Sequence, residues 1–210
     1  IIEAEDCPVA APESSRIMAA IRDFVSGNNI SVYDEESGKG LLRHVLIRKG
    51  FATGQIMVCL VINGRTLGKR PDGSSLDELL VNMLNGLQFK ESGAHIASIS
   101  LNINTERTNV ILGNDVITLA GTPCIEEKLE DLTFRISPLA FFQVNTCQAE
   151  LLYRKVLEYA DLSGNETVWD LYCGTGTISL FLARMAKKVY GVEMIQAAID
   201  NANENAALNG

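Results

Sequence analysis

The sequence predicts an α/β protein in two parts: an α+β region over residues 1–137, then the opening βαβα of a parallel-sheet domain over residues 138–210. Three observations predict this. Two long apolar stretches flank a glycine-containing turn near residue 50. Alternating apolar residues resume after a helix with capping-box spacing. A late apolar strand runs into Gly174-Thr175-Gly176 and straight on into a helix. With 47% hydrophobic and 21% charged residues, the 210-residue chain has globular composition and can bury a sizeable core.

Pro12-Glu13 opens a helix whose apolar residues Ile17, Ile21, Phe24 and Val25 recur at i, i+4, i+7 and i+8, and Ser26-Gly27 ends it. LLRHVLIRKG and GQIMVCLVING then read as a hairpin turning over residues 49–54; its second strand is apolar on both faces and therefore buried. Ser75 and Glu78 have capping-box spacing around a helical stripe of Leu76, Leu79, Leu80 and Met83. Ala97, Ile99, Leu101 and Ile103 alternate as in a strand, and Gly113-Asn114-Asp115 reads as a turn between two short strands of VILGNDVITL. Antiparallel pairs should therefore dominate this region.

After LTFRISPLAFFQVN the texture changes. Asn145 caps a helix with Gln148 at its third position, and Leu152, Val156, Tyr159 and Ala160 are expected to form the buried stripe. A strand over 167–172, a helix over 177–186, a strand over 188–192 and a helix over 194–208 follow. That order forms a parallel sheet with right-handed crossovers.

Composition narrows the function classes. No apolar run reaches the roughly 18 residues that cross a bilayer, and the first residues have neither a basic start nor a signal-like segment. The reading is a soluble, cytoplasmic protein with no membrane partner, and the lack of an initiating Met suggests a piece of something longer. The cysteines Cys7, Cys59, Cys124, Cys147 and Cys173 are odd in number and lack a CxxC pair, which fits reduced thiols better than a disulfide framework or a zinc site. A formal charge of -8 opposes unassisted nucleic-acid binding, since phosphate affinity comes largely from Lys and Arg. His95 receives no role.

In a parallel sheet, ligands bind beyond the carboxyl ends of the strands, where glycines let a bulky group approach the backbone. Glu193 closes the second strand, where an acid accepts hydrogen bonds from both hydroxyls of a ribose. The pattern points to an adenosine-type ligand. Ser179 stands where the dinucleotide fingerprint G-x-G-x-x-G has its third glycine, which disfavours NAD, and the turn lacks the Lys of a phosphate-binding loop.

DLYCGTGTISLFLA, with VYGVE downstream and ISPLAFFQVN upstream, resembles the S-adenosylmethionine-dependent RNA 5-methyluridine (uracil-C5) methyltransferases that act on rRNA and tRNA. SVYDEESGKGLLRHVLIRKG and TGQIMVCLVING are similar to that family's central RNA-binding domain, so the resemblance covers essentially the whole chain. It implies a central α+β domain, the truncated start of a Rossmann-like methyltransferase domain, S-adenosylmethionine as cofactor and RNA as partner. It further implies that Gln143 holds the methionine end of the cofactor and that Tyr172 walls its site. Gly174 and Gly176 would allow close approach, Thr177 would line the site, and Glu193 would take the ribose hydroxyls.

Members of that family use a cysteine that adds to uracil C6 and a base that removes the C5 proton. Their cysteine lies in a D-P-P-R-x-G-C-like segment that does not occur before Asn209-Gly210. The resemblance thus implies a fragment that holds the cofactor half, lacks the nucleophile and is inactive alone. A helix N-terminus lowers a thiol pKa, yet the family pattern places Cys173 in the cofactor turn. Cys7 resembles the fourth cysteine of an iron–sulfur cluster whose other ligands would precede this chain; one thiolate cannot hold such a cluster.

Arg43, His44, Arg48, Lys49, Arg65, Lys69 and Arg70 are explained equally by a solvated charged face and by RNA contact. A target uracil would have to be unpaired or extruded. A second class of reading is a non-catalytic RNA-binding or scaffolding module in which the glycine turn is only a tight connection. A nicotinamide oxidoreductase would need glycine at Ser179. Two βα units leave parallel strands without neighbours, so the chain is expected to self-associate or to pack this sheet on its own first region.

Overall fold

The computed structural model describes residues 7–210, so the reading of residues 1–6 lies outside it. Two compact units emerge: one comprises residues up to Gly50 with Gly54–Ile125, the other Phe51–Thr53 with Glu126–Gly210.

The first unit opens with α1 (Glu13–Gly27), which buries Ile17, Ile21, Phe24 and Val25, the predicted stripe. Strands β1 (Leu42–Lys49) and β2 (Gln55–Ile62) pair antiparallel, with Ile47 opposite Val58. β2 is buried along all but its first residue, as a strand apolar on both faces requires. Helix α2 (Leu76–Asn85) is capped by the Ser75 hydroxyl, which accepts the Glu78 N–H, and buries Leu76, Leu80 and Leu84. It crosses over to β3 (His95–Ile103), which therefore lies parallel to β2, while β4 (Asp115–Gly121) pairs antiparallel with β3. The sheet order is β1-β2-β3-β4. Its inner face (Ile56, Val58, Leu60, Ile62, Ile99 and Leu101) joins the helical stripes in one core. Each such side chain contributes about 1.5–3 kcal/mol on leaving water.

The expected hairpin about Gly113 does not form. Val110 and Ile111 are exposed loop residues, and the chain after Gly113 pairs with β3 instead. Two buried asparagines of β3 and its end cause this. The Asn102 amide donates to the Gly113 carbonyl and accepts the Gly113 N–H, both at 2.8 Å, while Asn104 donates to the carbonyls of Val110 (2.7 Å) and Ile111 (3.0 Å). A Cβ on Gly113 would sit 1.8 Å from the Ile103 carbonyl oxygen, so the glycine serves close backbone approach.

The second unit takes in β5 (Ile125–Leu129) from Glu126 onward and β6 (Leu132–Ile136), which pair with each other. The compact division therefore falls ahead of the 137/138 boundary read from the sequence. The reason is packing: Leu129, Leu132 and Phe134 form a core with Ala149, Tyr153 and Phe181. Residues 51–53 belong to this unit through Glu127, 1% exposed, which accepts the N–H groups of Phe51 (2.6 Å) and Ala52 (2.9 Å).

Helix α3 (Thr146–Ala160) is capped by Asn145, whose side chain accepts the Gln148 N–H at 3.1 Å. Its buried residues are Ala149 and Tyr153, whereas Leu152 and Tyr159 are 53% and 77% exposed. The expected stripe is thus displaced by one residue. Two i,i+4 rows run side by side here, and the one that brings Tyr153 onto Phe181, with ring centroids 5.2 Å apart, is the one that packs. Then come β7 (Thr167–Asp170), α4 (Thr177–Ala183), β8 (Lys188–Gly191) and α5 (Gln196–Asn209), with β7 and β8 parallel. Each is slightly shorter than or shifted from its predicted span, but the βαβα order holds. Val168 and Val189 are half-buried, while Trp169 and Tyr190 stack at 4.6 Å on the open face.

Arg43 organises the 104–108 loop of the first unit. Its side chain, 1% exposed, donates to the carbonyls of Asn104 (3.0 Å) and Glu106 (2.7 Å) and lies over the Tyr33 ring. Arg43→Ala is expected to lower the unfolding free energy by about 1–3 kcal/mol, since the carbonyl of the buried Asn104 loses a charged donor. Urea unfolding measures this, and a midpoint equal to wild type would contradict it.

Candidate functional site

The glycine turn is built by two backbone requirements. Gly174 and Gly176 have φ of 54° and 82°, the left-handed region that glycine occupies without strain. The Gly176 N–H donates to the Cys173 carbonyl at 2.8 Å, closing the turn, and the Gly176 carbonyl accepts the Leu180 N–H to start α4. A Cβ on Gly176 would press on Ala202 of α5 at 3.3 Å, whereas one on Gly174 would meet no heavy atom within 4 Å. The turn is therefore closed towards α5 and open at Gly174.

Past β8 the ladder continues through the Val192 N–H to the Asp170 carbonyl (2.8 Å) and the Cys173 N–H to the Val192 carbonyl (3.1 Å). This places Glu193 beside the turn. One carboxylate oxygen accepts the N–H groups of Met194 (2.8 Å) and Ile195 (2.9 Å), and the other accepts the Gly174 N–H at 3.2 Å. The Ile195 and Met194 amides hold the carboxyl below its ordinary pKa against the opposing effect of desolvation. A carboxylate has about four lone-pair sites, so with three backbone donors bound it retains acceptor capacity at the open side of the turn.

Cys173 is a spacer here. Burial raises its thiol pKa, as do the carboxylates of Asp170 and Glu193, which opposes the thiolate a nucleophile needs. Its Sγ occupies the space a side chain on Gly191 would take: a Cβ there would come within 2.9 Å. Ser179, in the place of the third glycine, donates its hydroxyl to Asp170 at 2.7 Å and ties α4 to the end of β7.

Of the residues singled out in the sequence, Gly174, Gly176 and Glu193 converge on the turn. Thr177 begins α4 half-buried, and the hydroxyl of the buried Tyr153 has its pKa raised by burial. Tyr172 is 92% exposed at the end of the strand ladder. Gln143 is exposed in the segment before α3 and, among the described residues, makes no hydrogen bond to the turn. Sequence reasoning missed Asn205, which is fully buried and donates to the Thr175 carbonyl at 3.0 Å. Its signal was the run of asparagines, poor helix formers, inside α5.

The basic residues of the first unit are largely engaged internally. Besides Arg43, Lys49 meets the buried Glu13 at 2.7 Å, Arg70 donates to Asn28 at 2.7 Å, and Arg65 faces Asp115 at 3.4 Å on the surface. Burial lowers the Arg48 pKa. Cys7 is exposed, and among the described residues no group of three or more His, Cys, Asp or Glu side chains could hold a metal. No helix among them is long and apolar enough to cross a membrane.

Comparison with known proteins adds the following. Residues 162–210 match a family described as a methyltransferase domain. Proteins named uncharacterized RNA methyltransferases from Caldanaerobacter subterraneus subsp. tengcongensis and Clostridium acetobutylicum are 43% and 46% identical over 210 residues, all of this chain. The chain spans 44% and 43% of their respective lengths. The crystal structure of Pyrococcus abyssi tRNA (uracil-54, C5)-methyltransferase in complex with S-adenosyl-L-homocysteine matches with a TM-score of 0.77 and 29% identity, over 100% of this chain and 46% of that one.

The packing of Cys173 on Gly191 yields a direct test. Gly191→Ala is expected to destabilise the protein by about 1–3 kcal/mol through overpacking. Adding Cys173→Ala should recover part of that loss. Thermal melts of the single and double variants measure both, and strictly additive losses would contradict the contact.

Proposed function

The chain is homologous along its whole length to part of the RNA methyltransferases, and from that premise we propose that the protein transfers a methyl group from S-adenosylmethionine to C5 of a uridine in rRNA or tRNA. The observation that carries the cofactor half is the Glu193 carboxylate held against the open side of the turn at Gly174. A nucleoside needs what this arrangement offers: a charged acceptor for vicinal ribose hydroxyls, and backbone free of side chains on which the rest of the molecule can lie. The hydroxyls would use the remaining acceptor site of Glu193 and share the long contact made by Gly174. Tyr172, Thr177 and Gln143 are assigned to the walls and the methionine end. The cofactor itself supplies an electrophilic methyl on a sulfonium.

Uracil C5 as the acceptor is favoured by the quoted motifs and by the Pyrococcus enzyme, which is named for that reaction. Cys173 is unsuited to attack uracil C6, because its thiol pKa is raised and its sulfur is packed on Gly191. The nucleophile is therefore assigned outside these 210 residues, and the chain alone is expected to be inactive. The first unit is assigned to RNA. With Arg43 and Lys49 internally engaged, RNA contact would fall to its exposed side chains.

Methylation at C5 displaces the C5 proton, so tritium release from RNA carrying [5-³H]uridine reads the reaction directly. Full-length protein with S-adenosylmethionine should release it, and at subsaturating cofactor Glu193→Ala should do so about tenfold more slowly or worse, as expected for a lost charged acceptor. Methyl transfer without tritium release would overturn the uracil-C5 assignment, and wild-type rates in the variant would overturn the role of Glu193.

The 210-residue chain by itself is proposed to self-associate through β7–β8, where Trp169, Leu171 and Met194 are 60%, 59% and 90% exposed. Sedimentation should show mass rising with concentration. A monomer at every concentration, with fast amide exchange over residues 167–192, would rule this out.

A further inference from the structure

Among the asparagines of helix α5, Asn205 and Asn209 have an i,i+4 spacing that puts them on one face. Both carboxamides bond the backbone of β6 in the way a neighbouring strand would. Asn209 accepts the Thr133 N–H at 2.9 Å and donates to the Thr133 carbonyl at 2.8 Å. Asn205 accepts the Arg135 N–H at 2.7 Å but sends its amide hydrogen elsewhere, to the carbonyl of Thr175 at 3.0 Å. One partner of Asn205 is a donor and the other an acceptor, so its orientation has a single solution.

The Thr175 carbonyl and the Gly176 N–H belong to the same peptide unit. The N–H end is held by the Cys173 carbonyl at 2.8 Å and the C=O end by Asn205. With Thr175 2% exposed and Asn205 0% exposed, water cannot replace a lost bond. On the far side, Ala202 of the same helix lies against Gly176. Helix α5 thus sets the plane of the peptide on which the turn pivots.

We infer that Asn205 is a positioning residue of the cofactor site: by bridging the β6 backbone to the Thr175 carbonyl, it fixes the turn in the form that receives the nucleoside, whereas Asn209 serves stability alone. This rests on the cofactor reading above but is separable from it. The two asparagines form a matched pair, since each loses its β6 bonds on truncation and only one releases the turn.

The test uses the full-length protein with S-adenosyl-L-homocysteine as the probe, comparing Asn205→Ala with Asn209→Ala. Asn205→Leu, close to asparagine in size and shape, serves as the second variant, because it removes both polar ends without leaving a cavity. Both alanine variants should lose thermal stability to a similar degree. Without ligand, amide exchange at Gly176 should accelerate about tenfold in the Asn205 variants, the factor for one ordinary hydrogen bond, and stay near wild type in Asn209→Ala. Affinity for the probe should fall about tenfold in the same variants and change less than about twofold in Asn209→Ala. Unchanged Gly176 exchange in Asn205→Ala, or equal acceleration in Asn209→Ala, overturns the inference. A wild-type protein that does not bind the probe overturns the cofactor reading, while the exchange comparison still decides the role of Asn205.

Discussion

The candidate site depends on one interaction: a carboxylate fastened by three backbone N–H groups at the end of β8 and directed at a turn that has no side chain on its open side. A free glutamate at a strand end would swing through several rotamers and pay their entropy on binding. Three amide donors remove that freedom beforehand and keep the group ionised. The surrounding glycines answer different needs. Gly174 leaves room, Gly176 lets α5 come close, and Gly191 accommodates the sulfur of Cys173. The turn is therefore packed at Gly176 and Gly191 and open at Gly174.

Asparagine side chains do the work of missing strand neighbours in both units. In the first, Asn102 and Asn104 gather the carbonyls of the 110–113 loop. In the second, Asn205 and Asn209 occupy the edge of β6. Asn102, Asn104 and Asn205 are buried and Asn209 is half-buried; each amide has a donor and an acceptor, so it can satisfy a backbone edge that would otherwise be left unpaired. The α5 bonds, which span 70 and 76 residues of sequence, couple segments that local propensity leaves independent.

This difference between local and long-range determinants explains how much was legible in the sequence. The α1 stripe, the Ser75 and Asn145 caps, the buried β2 and the βαβα order are set by neighbours a few residues apart, and all were readable. The place of Glu193 past the end of the second strand was readable because it follows from strand length. Gly113 was misread because its reason is the carbonyl of Ile103, brought there only by β3–β4 pairing. The α3 stripe was misplaced because Leu151, Leu152, Tyr153, Val156 and Leu157 offer two equivalent rows, and the choice between them is made by Phe181. Arg43 counted as a surface cation, and its enclosure by Tyr33 and the 104–108 carbonyls has no signature along the chain.

The stacked pair on the open face of β7–β8 has an optical consequence. Trp169 is the chain's single tryptophan, so all indole emission originates at this spot. Being 60% exposed, the fluorophore samples a wet, polar environment, and whatever comes to cover the strand pair would dry it and move its spectrum to the blue. The molecule carries a built-in gauge of whether that side of the sheet is naked or clothed.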